Sequence, residues 1–252
     1  MKFRRFSVSL LLLAVLACRP STEVKLTIAV AANMQYAISE IVEAFTNKTE
    51  IQCNLIIGSS GKLTAQIKEG APYDVFLSAN MKYPMELFDD GLTTAPPKVY
   101  ANGGLVLWTQ SDQIVPSLTS LTNKDVKHIA LANPEIAPYG RASIQVLRNL
   151  DLHDTLVEKL VYAESISQTN QFISTGVAQI GFTAKSVVLS PDLKGKGKWK
   201  TLDPKYYDPV QQGIVLTRRN ENRDNSPQRF FDFIFSEEAR KILEKYGYSM
   251  DE

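Results

Sequence analysis

From Glu23 onward, short β-branched and aliphatic runs alternate with segments whose apolar positions recur at helical spacing. Residues 24–30 read as a strand, after which Met34, Ile38, Ile41/Val42 and Phe45 share one helical face. Residues 51–57 form a second expected strand, followed by a helix carrying Leu63 and Ile67 on one side. A third strand at 75–77 leads into a short helix at 82–90. Further strands are expected at 105–108, 129–132, 160–163, 180–183 and 214–217, with helices near 123–127 and at 141–150 and 168–174. At the C-terminal end, Ser226 reads as an N-cap with Pro227 at the first helical position, and Ser236 caps a last helix ending at Gly247. This order implies an α/β architecture with mostly parallel sheets flanked by helices. Turn residues at Ala101-Asn102-Gly103-Gly104 read as one crossing between lobes and residues 205–209 as a second, returning the C-terminal helices to the first lobe. The basic, Gly-broken stretch 194–200 reads as a solvated loop.

The first residues stand outside this alternation. Lys2, Arg4 and Arg5 precede a ten-residue apolar run, Val8 to Ala17, too short to span a bilayer, which takes about 20 residues. The run ends in Val15-Leu16-Ala17-Cys18, which resembles the lipobox of bacterial lipoproteins, where the cysteine becomes the lipidated first residue; ordinary cleavage at a nearby small residue is the other reading. Either way the chain is expected to be exported. The expected division is thus a leader at 1–17, a linker at 18–23, a first lobe at 24–102 plus 208–252, and a second at 103–207.

Composition narrows the chemistry. The 252 residues are 44% apolar and 22% charged, which excludes disordered, collagen-like and coiled-coil chains. The whole chain carries a formal +1; cleaving residues 1–17 removes three of its 28 basic groups and no acid, leaving 25 against 27, a net of −2. No nucleic-acid surface is indicated, and an anion would have to be attracted by local groups. Two cysteines cannot build a disulfide framework, and His128 and His153 lie apart with no partner at zinc-ligand spacing. If Cys18 is lipidated, Cys53 remains as a buried strand thiol.

Four expected junctions between a strand and a helix are rich in Gly, Ser or Asn: Ala31-Ala32-Asn33, with Asn33 at the N-cap; Gly58-Ser59-Ser60-Gly61-Lys62; Asn133 to Arg141; and Glu164-Ser165-Ile166-Ser167. Helix starts expose unpaired N–H groups and about half a positive charge. Converging on a cleft, they would surround a small anion with neutral donors. Each alone reads equally as ordinary helix capping.

As a set, Ala31-Ala32-Asn33, Gly58-Ser59-Ser60-Gly61, Gly70-Ala71-Pro72, Asn133-Pro134, Ala137-Pro138-Tyr139-Gly140, Gly181-Phe182 and Tyr246-Gly247-Tyr248 resemble the periplasmic molybdate-binding proteins of ABC transporters. That resemblance implies a two-lobed class II periplasmic binding protein fold, joined by two crossings and closing over molybdate or tungstate, without catalysis or cofactor. It implies ligands at Ala32, Asn33, Ser60, Tyr139 and Ile166, through hydroxyls and backbone N–H groups. Ser59 and Ser167 are secondary candidates, and Lys62 and Arg141 either steer the anion or are solvated helix-start residues. Some relatives add a tyrosine hydroxyl where Ala184 stands here; the Asn33 side-chain amide is the expected replacement. The implied partners are a membrane permease and its ATPase, with the receptor a monomer in the periplasm or on the outer face of the cytoplasmic membrane, anchored through Cys18.

Other readings stay open. Tyr206-Tyr207 matches the paired phenolates of ferric-ion-binding relatives, or packs at the return crossing; sulfate and phosphate receptors share Ser-Ser-Gly. Ser59-Ser60-Gly61-Lys62 matches Ser-x-x-Lys hydrolases, but neither Ser-Asp-Asn nor Lys-Thr-Gly occurs. An organic ligand would call for an apolar wall, which these loops do not offer.

Overall fold

The computed structural model describes residues 25–219 and 224–250. The leader, Cys18 and the linker lie outside the described residues, as does Val24 of the first expected strand.

The chain runs β1 (Leu26–Ala31), a 3-10 turn (Ala32–Met34), α1 (Gln35–Thr49), β2 (Cys53–Gly58), α2 (Ser60–Lys68), β3 (Val75–Ser78), α3 (Lys82–Asp89) and β4 (Lys98–Gly103). It then passes into β5 (Leu105–Thr109), β6 (Ile129–Ala132), α4 (Pro138–Asn149), α5 (His153–Leu156), β7 (Leu160–Ala163), α6 (Ile166–Ser174), β8 (Ile180–Ala184), α7 (Lys185–Val188) and β9 (Lys198–Thr201). It returns through β10 (Val210–Leu216) to α8 (Ser226–Ile234) and α9 (Glu237–Lys245).

Two five-stranded sheets result, ordered β2-β1-β3-β10-β4 and β7-β6-β8-β5-β9. β1 lies parallel to β2 and β3, and β6 parallel to β7 and β8, each by a helical crossover. β10 runs antiparallel to β3 and β4, and β5 antiparallel to β8 and β9. The sheets are therefore mixed rather than mostly parallel. The crossing strands are the reason: Leu105 at the start of β5 pairs with Ala184 at the end of β8, and Gly213 of β10 with Ser78 at the end of β3. A strand that enters where its neighbours finish must run against them.

Several local expectations shift for identifiable reasons. Ala101 to Gly103 are not a turn but the end of β4, which pairs with β10 across an irregularity at Gln212/Gly213; only Gly104 separates β4 from β5. The stretch 194–200 ends in β9, an exposed strand pairing with β5, and its lysines lie on a sheet edge, where they discourage further pairing. The helical turn expected near 123–127 lies at Thr119–Thr122. Helix α4 begins at Pro138, whose missing N–H suits a first helical turn. Ser226 is the first residue of α8, and the N-cap position belongs to Asn225.

The apolar face that runs from the 3-10 turn into α1 is buried: Met34, Ile38, Ile41 and Phe45 are all 0% exposed. Phe45 meets Phe230 edge-on at 5.1 Å and Phe233 at 5.5 Å, which packs the returning helix α8 against α1. Burial of one such phenylalanine contributes about 1.5–3 kcal/mol. Gly247, at φ 78°, closes α9: its N–H donates to Glu244 O, and the Tyr248 N–H to Leu243 O. That reversal carries Tyr248 inward to the site. Cys53 opens β2 half-buried, and burial pushes its thiol to about 12.

Candidate functional site

Three strands of the two sheets end at the same place, and each hands over to a helical start. After β1 comes the 3-10 turn with Ala32 and Asn33; after β2, Ser59 and the first turn of α2; after β7, the first turn of α6 at Ile166. β6 reaches it through the loop 133–137, which leads to Pro138 and Tyr139 at the start of α4. Ala32, Asn33, Ser59, Ser60, Tyr139 and Ile166 all line one small cavity of about 10 Å³, and each is at most 4% exposed. That volume corresponds to roughly one water-sized sphere. The rest of the lining is Ala31, Ala79, Ala137 and Pro138, so among the described residues no charged side chain faces the cavity.

The donors can be counted from chemistry. Helices α2, α4 and α6 each present a first turn whose N–H groups have no carbonyl in their own helix, and each carries about half a positive charge there. The Ser60 hydroxyl accepts from the Ala79 N–H at 3.0 Å, which leaves its own proton to donate elsewhere. Ser59 has the extended backbone of an N-cap, at φ −70° and ψ 148°, yet its side chain caps nothing. Its Oγ is buried and without a hydrogen-bond partner among the described residues. In α6 the capping is ordinary: Ser165 accepts from the Gln168 N–H.

Asn33 behaves differently from the expectation. It sits inside the 3-10 turn and not at an N-cap, and its Nδ2 donates to Gln212 Oε1 and Tyr248 Oη, both at 2.8 Å. Both amide protons are thereby engaged, so the side chain cannot replace the missing tyrosine; only the backbone N–H remains for the cavity. Ser186 donates to Asn33 O at 2.8 Å, and Tyr248 Oη lies 3.2 Å from both Asn33 O and Ser186 Oγ. Burial raises the Tyr248 phenol well above its ordinary range, only partly offset by its hydrogen bonds to Ser186 and Asn33, so it stays protonated. Ala184 is fully buried at the end of β8 and does not line the cavity.

None of the remaining candidates lines this cavity. Lys62 Nζ is 2.5 Å from Glu164 Oε1, a half-exposed pair joining α2 to the loop after β7. Arg141 donates through Nε to Pro134 O at 2.9 Å and through Nη2 to Tyr83 Oη, with its guanidinium 5.0 Å above the Tyr83 ring. Ser167 Oγ donates to Gln35 Oε1, which links α6 to α1. Tyr207 is buried at the return crossing, where its hydroxyl accepts from the Leu105 N–H at 3.2 Å; Lys205 covers the Tyr206 ring. His128 is exposed and His153 pairs with Asp154. Among the described residues no group of three His, Cys, Asp or Glu side chains is placed to hold a metal. A wider groove of about 740 Å³ along α4 gathers Lys82, Arg141, Arg148 and His153 with Glu135, but it is open at the surface.

Gln212, Ser186 and Tyr83 were not visible as site residues in the sequence. Each reads there as an ordinary strand or helix position, and their partners lie 52–179 residues away.

A family model described as bacterial extracellular solute-binding protein matches residues 26–249. The molybdate-binding protein ModA of Rhodobacter capsulatus is 36% identical over 230 residues, which cover 91% of this chain and 90% of that protein. A putative ABC transporter substrate-binding lipoprotein of Bacillus subtilis is 30% identical, covering 91% of this chain and 88% of its own length. Among solved structures, the periplasmic molybdate-binding protein of Azotobacter vinelandii superposes with a TM-score of 0.86 at 32% identity, over 90% of this chain and all of that one.

Proposed function

The chain belongs to the bacterial extracellular solute-binding protein family, and on that premise we propose that it is the receptor of an ABC importer for molybdate or tungstate. The family is one of non-catalytic receptors that work outside the cytoplasm with a membrane permease and ATPase. The observation that carries the ligand is the character of the cavity: small, buried and lined by neutral donors, with a Ser59 hydroxyl that has no hydrogen-bond partner among the described residues. A buried dianion needs a dense set of hydrogen bonds, and bonds to charged acceptors are the strong kind. The donors would be the N–H groups of Asn33, Ser60, Tyr139 and Ile166 and the hydroxyls of Ser60 and Ser59, with Ala32 supplying backbone and van der Waals contact.

Size and protonation argue for the anion. A site for an organic ligand needs about 300 Å³ or more; this cavity holds about 10 Å³. Admitting an anion with four oxygens therefore calls for a small parting of the two halves, about the crossings at Gly103-Gly104 and residues 207–209. The lobes that part would be residues 24–102 with 208–252, and residues 103–207. Donors set for the larger molybdate leave N–H groups out of reach of sulfate, and the proton of hydrogenphosphate would meet donors instead of an acceptor. Lys62 and Arg141, engaged outside the cavity, hold the closed form rather than touch the anion. Cys18, freed at the end of the leader, would carry the lipid that keeps the receptor at the membrane; acyl chains in combination anchor firmly where one alone does not.

A thermal-shift panel with molybdate, tungstate, sulfate, phosphate and ferric citrate tests this. A ligand at about 1,000 times its Kd adds about 4 kcal/mol of stability. Large shifts with molybdate and tungstate and small ones with the rest are expected; a larger response to sulfate, or a coloured ferric complex at Tyr206-Tyr207, would overturn the reading.

A further inference from the structure

Three successive carbonyls of the loop 133–137 are each taken by a different donor. Pro134 O accepts from Arg141 Nε at 2.9 Å, Glu135 O from Tyr83 Oη at 3.0 Å, and Ile136 O from the Gly61 N–H at 2.8 Å. Arg141 belongs to the loop's own half of the molecule, but Tyr83 and Gly61 come from α3 and α2 beside the other sheet. Three residues beyond Ile136 the chain reaches Tyr139, which lines the cavity in the first turn of α4. We infer that Tyr83 is a positioning residue for the oxyanion site: its hydroxyl fixes the 133–137 loop against α2 and so aims the Tyr139 N–H. This rests on the oxyanion reading above.

The ring and the hydroxyl of Tyr83 do different jobs. The ring belongs to an apolar cluster with Leu63, Ile67 and Leu87 of the first half and lies under the Arg141 guanidinium, roles phenylalanine would fill equally well. The hydroxyl takes no part in that packing. It accepts from Arg141 Nη2 and donates to Glu135 O, and both partners lie across the junction. The donation polarises the phenol toward the carbonyl it holds. Burial raises the phenol above its ordinary value, against the lowering effect of Arg141, so the donor persists at neutral pH.

The approach is close enough to exclude a methyl group. A Cβ on Gly61 would stand 2.7 Å from Tyr83 Oη and 2.9 Å from both Ile136 Cα and Ile136 O. Two of those atoms are backbone of the same loop, which would have to move away from α2. Gly61 therefore permits the contact that Tyr83 completes, and the two residues should act alike when altered.

Stopped-flow mixing and calorimetry with molybdate, using full-length wild type, Tyr83→Phe and Gly61→Ala, test this. Tyr83→Phe should leave the anion-free melting temperature and the association rate within experimental scatter of wild type, while molybdate dissociation accelerates roughly five- to twenty-fold, a range set by the loss of the two hydrogen bonds that the hydroxyl makes. In 1H–15N spectra, the Tyr139 amide should shift less on molybdate addition in the variant than in wild type. Gly61→Ala should reproduce the faster dissociation. A Tyr83→Phe affinity within twofold of wild type would overturn the inference, as would a loss confined to the anion-free melting temperature. Failure of wild type itself to bind molybdate or tungstate would instead remove the functional reading beneath it.

Discussion

Ser59→Ala should move stability and affinity in opposite directions. Ser59 is 3% exposed and its Oγ has no partner among the described residues. An unpaired buried hydroxyl costs about 1–3 kcal/mol, so deleting it should leave the anion-free protein as stable or more so. For a chain of this size, each kcal/mol is about 2–4 °C of melting temperature. With the anion bound, the same hydroxyl donates to a charged acceptor and contributes about 1.5–3 kcal/mol. The variant should therefore lose roughly 10- to 150-fold in affinity, at 1.4 kcal/mol per tenfold. Scanning calorimetry makes the crossover visible: at molybdate about 1,000 times the wild-type Kd, wild type gains about 4 kcal/mol and a 100-fold weaker variant only about 1.4. An affinity within twofold of wild type would refute the reasoning, and so would an anion-free melting temperature several degrees lower, because then Oγ has a protein partner after all.

Ser60→Ala should lower both quantities: it takes a donor from the anion and leaves the buried Ala79 N–H without its acceptor, a folding cost of about 1–3 kcal/mol that urea titration would measure; unchanged anion-free stability would contradict this. Tyr248→Phe removes the hydroxyl that accepts from Asn33 and should weaken molybdate binding several-fold in calorimetry by loosening the first loop; an unchanged Kd would show that the network does not hold that loop. Stability should be flat near neutrality and fall above about pH 10, the ordinary tyrosine value. Burial raises the Tyr100, Tyr139 and Tyr248 phenols in the fold, so the unfolded chain releases these protons first and each step up in pH favours unfolding until the folded values are passed. A urea midpoint that holds or rises between pH 9 and 11 would contradict it.

The legible parts of this chain are those whose structure is decided locally. Ile129–Ala132 and Leu160–Ala163 carry continuous apolar or β-branched sequence and form β6 and β7 over just those residues. The face from Met34 to Phe45 has the spacing its burial uses. Strand β4 was masked because Asn102-Gly103 has the chemistry of a turn, and β9 because its lysines suit solvent; their pairing with β10 and β5 rests on partners far along the chain. Strand direction was hidden for the same reason. Nothing within Val210–Leu216 says that it enters from the crossing and so runs against β3.

The candidate site divides similarly. Its loops could be found from helix starts rich in Ser, Gly and Asn, since those residues act within their own segment. What could not be read was the direction of each polar group. The Asn33 amide turns to Gln212 and Tyr248, residues 179 and 215 positions away. Lys62 pairs with Glu164, and Tyr83, an aromatic at core spacing, lends its hydroxyl to the loop of the other half.

The central claim is that a tetrahedral oxyanion is held by uncharged donors alone. Anomalous diffraction at the molybdenum edge from crystals grown with molybdate locates the metal atom without reference to the surrounding density. The account predicts one strong peak among Asn33, Ser59, Ser60, Tyr139 and Ile166, with anion oxygens about 2.7–3.1 Å from their N–H and O–H groups. A peak elsewhere, or oxygens contacted chiefly by Lys and Arg side chains, would contradict it.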